Sequence, residues 1–294
     1  MLSIAQTDNG YYCFEWTPTE KGPRIDNYSL IKDNNCCLNN DFEKPISSFY
    51  KNNNQDVKSL AFILNSENVN INSITLEKSI NLKDSIDWYE SNILDENYLK
   101  SFELFYYPLK SKKNSQDLLV ISLSKKIKNK IISLSKKYSY KLIYISIDFF
   151  SAYITAKQFY KISNKNKCLI WKIKKNNYHC FTLYENDCFS SMVTAKCNRD
   201  KYMINKTVGN ADSINVIEDF ISQTLVQKDY CKRIDDVYVY QTKMNDTLIK
   251  SYVNNKKINV KLLDISKIFN FKNKNPYQLL QYVENGISLK GIDV

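Results

Sequence analysis

Short apolar runs, separated by Gly, Asn and Pro, open the chain. Their spacing predicts three consecutive strands, at Leu2–Gln6, Tyr11–Trp16 and Ile25–Ile31. The sequence Asp8-Asn9-Gly10 predicts a hairpin turn between the first two strands, because Asn and Gly tolerate positive φ. The start of the chain is therefore expected to form a ribbon of three strands.

The same pattern recurs after residue 167. Apolar runs at Cys168–Ile173, Tyr178–Tyr184 and Cys188–Thr194 predict a second ribbon, with turns at Asn176-Asn177 and at residues 185–187. Two ribbons of this kind in one chain indicate an internal duplication that has left little sequence similarity.

Helical apolar spacing alternates with short apolar strands in both halves of the chain. The second half predicts, in order, a helix capped by Asp212 or Ser213 with Ile214, Ile217, Ile221 and Leu225 inward, a strand at Val237–Tyr240, a helix over 245–253, a strand at Ile258–Leu263 and a final helix capped by Asn275. The first half predicts a strand at Asp117–Leu123, a helix with Ile127, Ile131, Leu134 and Tyr138 on one face, a strand at Leu142–Ile147 and a helix at Phe149–Tyr160. Such alternation predicts parallel pairing with right-handed crossovers.

The segment between residues 33 and 116 has no counterpart in the second half. It predicts a strand at Val57–Leu64, a helix with Ile86, Tyr89 and Ile93 inward, and a strand around Leu104. We therefore expect an α/β protein with a small inserted α+β module. The predicted division is residues 1–32 and 117–165 for a first lobe, 33–116 for the module and 166–294 for a second lobe.

A net charge of +11 raises the possibility of nucleic-acid binding. Lysines at 125, 126, 128, 130, 136 and 137 crowd one predicted helix, which is a surface that could bind a phosphate backbone. However, the chain has only three arginines, Arg24, Arg199 and Arg233, and base recognition favours arginine. Lysines on solvated faces explain the charge more simply, so nucleic acid is not expected as a partner.

Cysteine and histidine give no sign of a metal site. The eight cysteines contain no CxxC pair, and the single histidine, His179, has no partner at ligand spacing and reads as a sheet residue. Isolated thiols in apolar runs are typical of the core of a cytoplasmic protein. We expect no metal, no cofactor and no nucleophilic catalysis.

The order of predicted elements resembles the actin-like ATPase superfamily, and within it the PilM type of type IV pilus and related secretion assemblies. Residues 117–160, DLLVISLSKKIKNKIISLSKKYSYKLIYISIDFFSAYITAKQFY, carry the resemblance best, together with FELFYYPL at Phe102–Leu109. The resemblance implies a two-lobed actin-like fold. It also implies a cytoplasmic protein that lies under the inner membrane by binding the short cytoplasmic tail of a membrane-anchored partner.

The nucleotide-binding motifs of that superfamily are missing. By strand alignment, the first D-x-G-x-x-x-x-K falls on Ala5, Thr7 and Tyr12, the second D-x-G on Lys172 and Lys174, and the adenosine-binding Gly-Gly on Gln241 and Thr242. An ammonium in place of a metal-binding carboxylate repels Mg²⁺, and side chains replace the glycines that let the backbone approach phosphate. A weak anion site around Lys172, Lys174 and Lys175 remains open.

We therefore predict a catalytically inactive actin-like scaffold. Its partner tail is expected to bind between the first lobe and the module, with walls from residues near the module's strands and from the helix that carries Ile127, Ile131, Leu134 and Tyr138. A nucleic-acid-binding protein and a divergent, active sugar-kinase-like ATPase are the alternatives. Homo-oligomerisation is left open.

Overall fold

Three β-sheets form the framework of the protein in the computed structural model. The structure describes residues 1–20, 22–33, 41–52, 59–77, 79–109, 115–160, 162–163, 166–198, 201–226, 234–241, 260–265, 270–271 and 282–289. The strands are β1 (Leu2–Thr7), β2 (Gly10–Thr19), β3 (Gly22–Lys32), β4 (Ser59–Leu64), β5 (Asn70–Glu77), β6 (Phe102–Pro108), β7 (Ser115–Ser124), β8 (Lys141–Ile147), β9 (Lys167–Ile173), β10 (Tyr178–Glu185), β11 (Cys188–Asn198), β12 (Lys201–Gly209), β13 (Asp236–Gln241), β14 (Val260–Leu262) and β15 (Asn270–Phe271). The helices are α1 (Glu43–Asn52), α2 (Leu82–Asn92), α3 (Glu96–Ser101), α4 (Lys125–Lys137), α5 (Asp148–Tyr160) and α6 (Ala211–Val226), and 3₁₀ segments occupy Ser66–Asn68, Lys175–Asn177 and Val283–Leu289.

The two large sheets repeat one strand order. The first sheet runs β15-β3-β2-β1-β4-β8 and the second runs β12-β11-β10-β9-β13-β14. The antiparallel strands β1–β3 form a ribbon in the first sheet and β9–β12 form one in the second. The first strand of each ribbon pairs in parallel with the strand that continues the sheet. The predicted pair of ribbons is confirmed, and the repeat extends to the parallel strands beside them.

The small sheet has the order β5-β7-β6 and is antiparallel throughout. Two predicted strand placements were wrong. The strand expected within the module at Val57–Leu64 is β4, which lies in the first sheet because its apolar side chains are buried as a central strand requires. The strand expected in the first lobe at Asp117–Leu123 is β7, which pairs on both sides within the small sheet.

The helices begin close to their predicted positions. Helix α6 is capped by Asn210, whose Oδ1 accepts hydrogen bonds from the backbone N–H groups of Asp212 at 2.9 Å and Ser213 at 3.4 Å. The predicted caps, Asp212 and Ser213, therefore lie inside the first turn. The predicted helix over 245–253 and the cap at Asn275 fall outside the described residues.

The end of the chain returns to the first sheet. Strand β15 pairs in parallel with β3, and the 3₁₀ segment Val283–Leu289 packs against α5 and β1. Gly286 allows this approach, because a Cβ atom there would lie 1.7 Å from Oγ1 of Thr155. Thr155 Oγ1 in turn donates a hydrogen bond of 2.6 Å to the carbonyl of Val283. The expectation that all of 166–294 belongs to the second half of the fold was wrong for these segments.

One apolar core joins the facing sides of the two large sheets. It combines Ile4 and Leu60 of the first sheet with Ile170 and Tyr238 of the second. The alternate residues of β9, including Leu169 and Trp171, point the other way and pack with α6 in a separate cluster. This alternation places the side chain of Lys172, which follows Ile170 by two residues, on the side that faces the first sheet.

Candidate functional site

The first predicted nucleotide position is apolar. Ala5 is buried in a cluster with Ala61 and Ile63. Thr7 serves the hairpin turn: its Oγ1 donates to the carbonyl of Gly10 at 3.2 Å and accepts from the backbone N–H of Asn9 at 3.3 Å. Gly10 has a φ of +134°, and a Cβ there would lie 2.1 Å from the Ile31 carbonyl oxygen. The interpretation of residues 8–10 as a hairpin turn is confirmed.

Tyr12, the third residue of the first motif, is a core residue. Its ring packs edge-on against Tyr282, with 5.0 Å between ring centroids. Burial, followed by the nearby charge of Glu284, raises the pKa of Tyr12 above its usual range, so the phenol stays protonated. The position expected to hold a phosphate-binding lysine therefore carries a neutral aromatic side chain.

The second predicted position, Lys172, forms a buried ion cluster. Its Nζ lies 2.7 Å from Oδ2 of Asp148, the first residue of α5, and 2.5 Å from Oε1 of Glu284 in the C-terminal 3₁₀ segment. All three side chains are at most 3% exposed. The Tyr240 hydroxyl donates to the same Glu284 oxygen at 2.9 Å. We refer to Lys172, Asp148, Glu284 and Tyr240 as the Lys172 cluster.

The pKa directions agree with an ionised pair of Lys172 and Asp148. Burial alone would lower the pKa of Lys172, but Asp148 and Glu284 hold it well above its usual range. Burial alone would raise the pKa of Asp148, but Lys172 and Lys174 hold it below its usual value. Burial raises the pKa of Glu284 to about 7, against the attraction of Lys172.

The other residues of this region are committed to internal contacts as well. Lys174 Nζ lies 2.8 Å from Oε1 of Glu67. Asp8, the acid of the sequence Asp8-Asn9-Gly10, accepts a hydrogen bond of 3.0 Å from the Asn65 side chain. Gln241 is buried at the end of β13, opposite Ile173, and Thr242 lies outside the described residues.

The weak anion site that the sequence left open is therefore not supported at Lys172 and Lys174, whose ammonium groups face carboxylates. Metal-ligating groups are not clustered either. Within the described ranges, no three His, Cys, Asp or Glu side chains are placed to hold a metal ion. His179 accepts a hydrogen bond of 2.9 Å from the Trp171 indole and is buried, as a sheet residue should be.

Two adjoining cavities lie where the small sheet meets the first sheet. The smaller, of about 150 Å³, is lined by Leu64, Val69, Phe105, Tyr107, Ile121, Leu123, Lys128, Ile145, Ser146, Ile147 and Phe150. The larger, of about 560 Å³, shares Tyr107, Ile145, Ser146 and Phe150 and adds Pro108, Tyr144, Tyr153, Ile154, Lys157, Tyr184, Asp187, Cys188 and Phe189. The larger cavity is therefore bounded on one side by the β10–β11 turn of the second sheet.

Aromatic rings and one ion pair build the larger cavity. Tyr153 and Tyr184 stack with centroids 3.8 Å apart, and Phe150 lies 5.9 Å from Phe189. Asp187 accepts a hydrogen bond from the Tyr153 hydroxyl at 2.7 Å and pairs with Lys157. These contacts hold α5 against the second sheet and fix the shape of the cavity.

The prediction that Ile127, Ile131, Leu134 and Tyr138 line a partner groove was wrong in part. Ile131 and Leu134 are buried in the main core, and Ile127 and Tyr138 pack against it. The apolar face of α4 is covered by the protein itself, so only Lys128 of this helix reaches the cavity. The lining residues that sequence reasoning did not name for the groove lie in β8, at the start of α5 and around the β10–β11 turn. Their concentration of aromatic residues was the available signal.

Comparisons with known proteins place the fold. No protein-family model and no curated protein sequence matches the chain. Among solved structures, the chain is similar to a chain of a PilM-PilN type IV pilus biogenesis complex, with a TM-score of 0.61, 11% identity and coverage of 100% of this chain and 98% of that one. The protein has the actin-like fold.

Two other solved structures are similar to the chain with lower TM-scores. One is a Bacteroides thetaiotaomicron protein with an actin-like ATPase fold, with a TM-score of 0.46, 9% identity and coverage of 96% of this chain and 95% of that one. The other is the cytoplasmic domain of EpsL, an inner-membrane component of the type II secretion system of Vibrio cholerae, with a TM-score of 0.46, 9% identity and coverage of 99% and 95%. In the described part of this chain, no helix is long and apolar enough to cross a membrane.

Proposed function

We propose that the protein is a catalytically inactive actin-like scaffold that captures the short cytoplasmic tail of a membrane-anchored protein in a pilus or secretion type of assembly. Its similarity to a chain of the PilM-PilN complex supports this class of partner. The scaffold itself is cytoplasmic and reaches the inner membrane through that partner.

The Lys172 cluster supports the absence of catalysis. A nucleotide triphosphate needs backbone donors and a coordinated metal to replace its hydration. Here a buried ammonium occupies the strand position expected to supply a metal-binding carboxylate, and both carboxylates within its reach are bound to it. Ala5 offers no ligand from the first sheet.

The adjoining cavities are the observation that carries tail capture. They run past β8, the last strand of the first sheet, and past β6, the last strand of the small sheet. Among the described residues, neither strand pairs on its outer side, and an extended peptide can pair with such an edge while its side chains enter apolar pockets. About 560 Å³ is within the usual range for a ligand pocket.

The lysines of α4 favour this proposal over nucleic-acid binding. Lys125 donates to the Leu99 carbonyl, Lys128 pairs with Glu103 and Lys137 pairs with Glu43. Lys130 lies over the ring of Phe42. Most of the predicted basic stripe is therefore engaged with the protein itself.

Selection from a displayed library of short random peptides, followed by calorimetry with the best binder, tests tail capture. Tyr107→Ala should weaken binding on the order of tenfold or more, because this half-exposed ring lines both cavities. Tyr178→Ala removes a similarly exposed ring of the second sheet that lines neither cavity and should leave binding unchanged. Equal losses in both variants, or hydrogen-exchange protection confined to residues 200–294, would contradict the proposed site.

A further inference from the structure

Four elements from separate parts of the fold contribute side chains to the Lys172 cluster. Lys172 lies on β9 of the second sheet, whereas Asp148 begins α5, which follows directly from β8 of the first sheet. Glu284 comes from the C-terminal 3₁₀ segment, and Tyr240 comes from β13 and bonds Glu284. A single buried cation from the second sheet thus contacts acidic groups on two elements that pack with the first sheet.

The buried carboxylates require a positive charge. Two ionised carboxylates near each other in an apolar interior repel, and each pays a large desolvation penalty unless it is paired. The backbone N–H of Phe149 donates to Asp148 at 2.8 Å, and the Ser66 hydroxyl donates to its other oxygen at 3.1 Å. These neutral donors orient Asp148 but supply no charge, whereas the ammonium of Lys172 contacts both acids and compensates their charge inside the fold.

We propose that Lys172 is a tethered cation that holds the two halves of the fold closed without any bound ligand. The chain supplies the bridging positive charge from its own side chain. The closed arrangement is then permanent and needs no nucleotide cycle.

The contacts of α5 connect the Lys172 cluster to the walls of the two cavities. Two residues after Asp148, Phe150 lines both cavities. One turn further, Tyr153 bonds Asp187 of the second sheet. Helix α5 is thereby attached to the second sheet at its first residue and again at its middle, and both attachments fix the walls of the larger cavity.

Hydrogen exchange of the full chain, followed by mass spectrometry without peptide or nucleotide, tests the proposal. Lys172→Met should speed exchange on the order of tenfold or more in Asp148–Tyr160, Lys167–Ile173 and Val283–Leu289, because the three segments lose their common partner. Lys201→Met, the same change at an exposed position of the second sheet, should leave these segments unchanged. Addition of Mg·ATP to the unaltered protein should not slow their exchange.

A second variant covers the case in which Lys172→Met does not fold because two buried acids lose their counter-ion. The triple variant Lys172→Met, Asp148→Asn, Glu284→Gln removes all three charges together and should fold. The proposal expects faster exchange in α5 and β9 of this variant as well. The proposal would be overturned if the variant that folds exchanges at the same rate as Lys201→Met. It would also be overturned if Mg·ATP slows exchange in the unaltered protein. Because no peptide is present, failure of tail capture would not affect the result.

Discussion

At the scale of single residues, Lys172 and Glu284 show how far sequence reasoning reaches. Strand alignment placed a lysine at a position expected to hold a metal-binding acid, and this sufficed to predict a defective nucleotide site. It could not predict the partners of the lysine. Glu284 lies more than 100 positions away in the chain, and only the return of the C-terminal segment to the first sheet brings it to Lys172.

The raised pKa of Glu284 predicts a pH effect on stability. Lys172, Asp148, Tyr240 and Tyr12 are the titratable groups that act on this carboxyl. Its pKa of about 7 in the folded state exceeds the ordinary value of 4.5, so the folded protein binds this proton more tightly than the unfolded chain. The resulting stabilisation is complete below pH 4.5 and is lost as the pH rises through 7. Each pKa unit corresponds to about 1.4 kcal/mol, so the loss should reach roughly 3 kcal/mol.

Denaturant unfolding at pH 5 and pH 8 measures this effect. Glu284→Gln cannot lose a proton, so it should not lose stability between pH 5 and pH 8 by this route. Its free energy of unfolding, relative to that of the unaltered protein, should therefore be higher at pH 8 than at pH 5. Glu96→Gln, at an exposed surface ion pair, should show no such rise. A difference between Glu284→Gln and the unaltered protein that stays constant with pH would contradict the assignment.

At the scale of elements, apolar periodicity was a good predictor of which segments form strands. It was a poorer predictor of which strands pair with each other. The two ribbons, α4, α5 and α6 were predicted because each has a clear period. Strands β4 and β7 were placed in the wrong sheets because both are strongly apolar, and burial on two faces gives no information on neighbours. Helices α1 and α3 and strands β5, β12 and β15 were missed. In β5, only Ile71 among eight residues is fully buried, so the apolar signal is weak.

The packing of the C-terminal 3₁₀ segment on α5 leads to a prediction for Gly286. A Cβ atom at this position would lie 1.7 Å from Thr155 Oγ1 and 2.8 Å from the Ser151 carbonyl oxygen. Gly286→Ala should therefore lower the free energy of unfolding by about 3 kcal/mol. Adding Thr155→Ala removes the nearest atom but not the backbone contact, so stability should recover only in part. Thermal and denaturant unfolding measure both variants. An unaffected single variant would mean that the segment does not pack as described.

At the scale of the whole molecule, the chain combines an actin-like fold with a filled space between its two large sheets. The repeated strand order gives the fold two similar sheets that contribute to a common core. In this chain the facing surfaces carry an apolar core and the Lys172 cluster.

The last prediction is that the protein neither binds Mg·ATP with useful affinity nor hydrolyses it. The triphosphate would have to displace Asp148 and Glu284 from Lys172 and leave both acids buried without a counter-ion, at a cost of several kcal/mol. Gly10, the glycine nearest to the first motif, is already packed against the Ile31 carbonyl in the hairpin. Exposed lysines could attract ATP only loosely, and salt would screen that attraction. Calorimetry with Mg·ATP at physiological salt should show no saturable binding in the micromolar range, and no phosphate should be released. A clear micromolar isotherm that Lys172→Ala abolishes would mean that the ion cluster opens to admit the nucleotide.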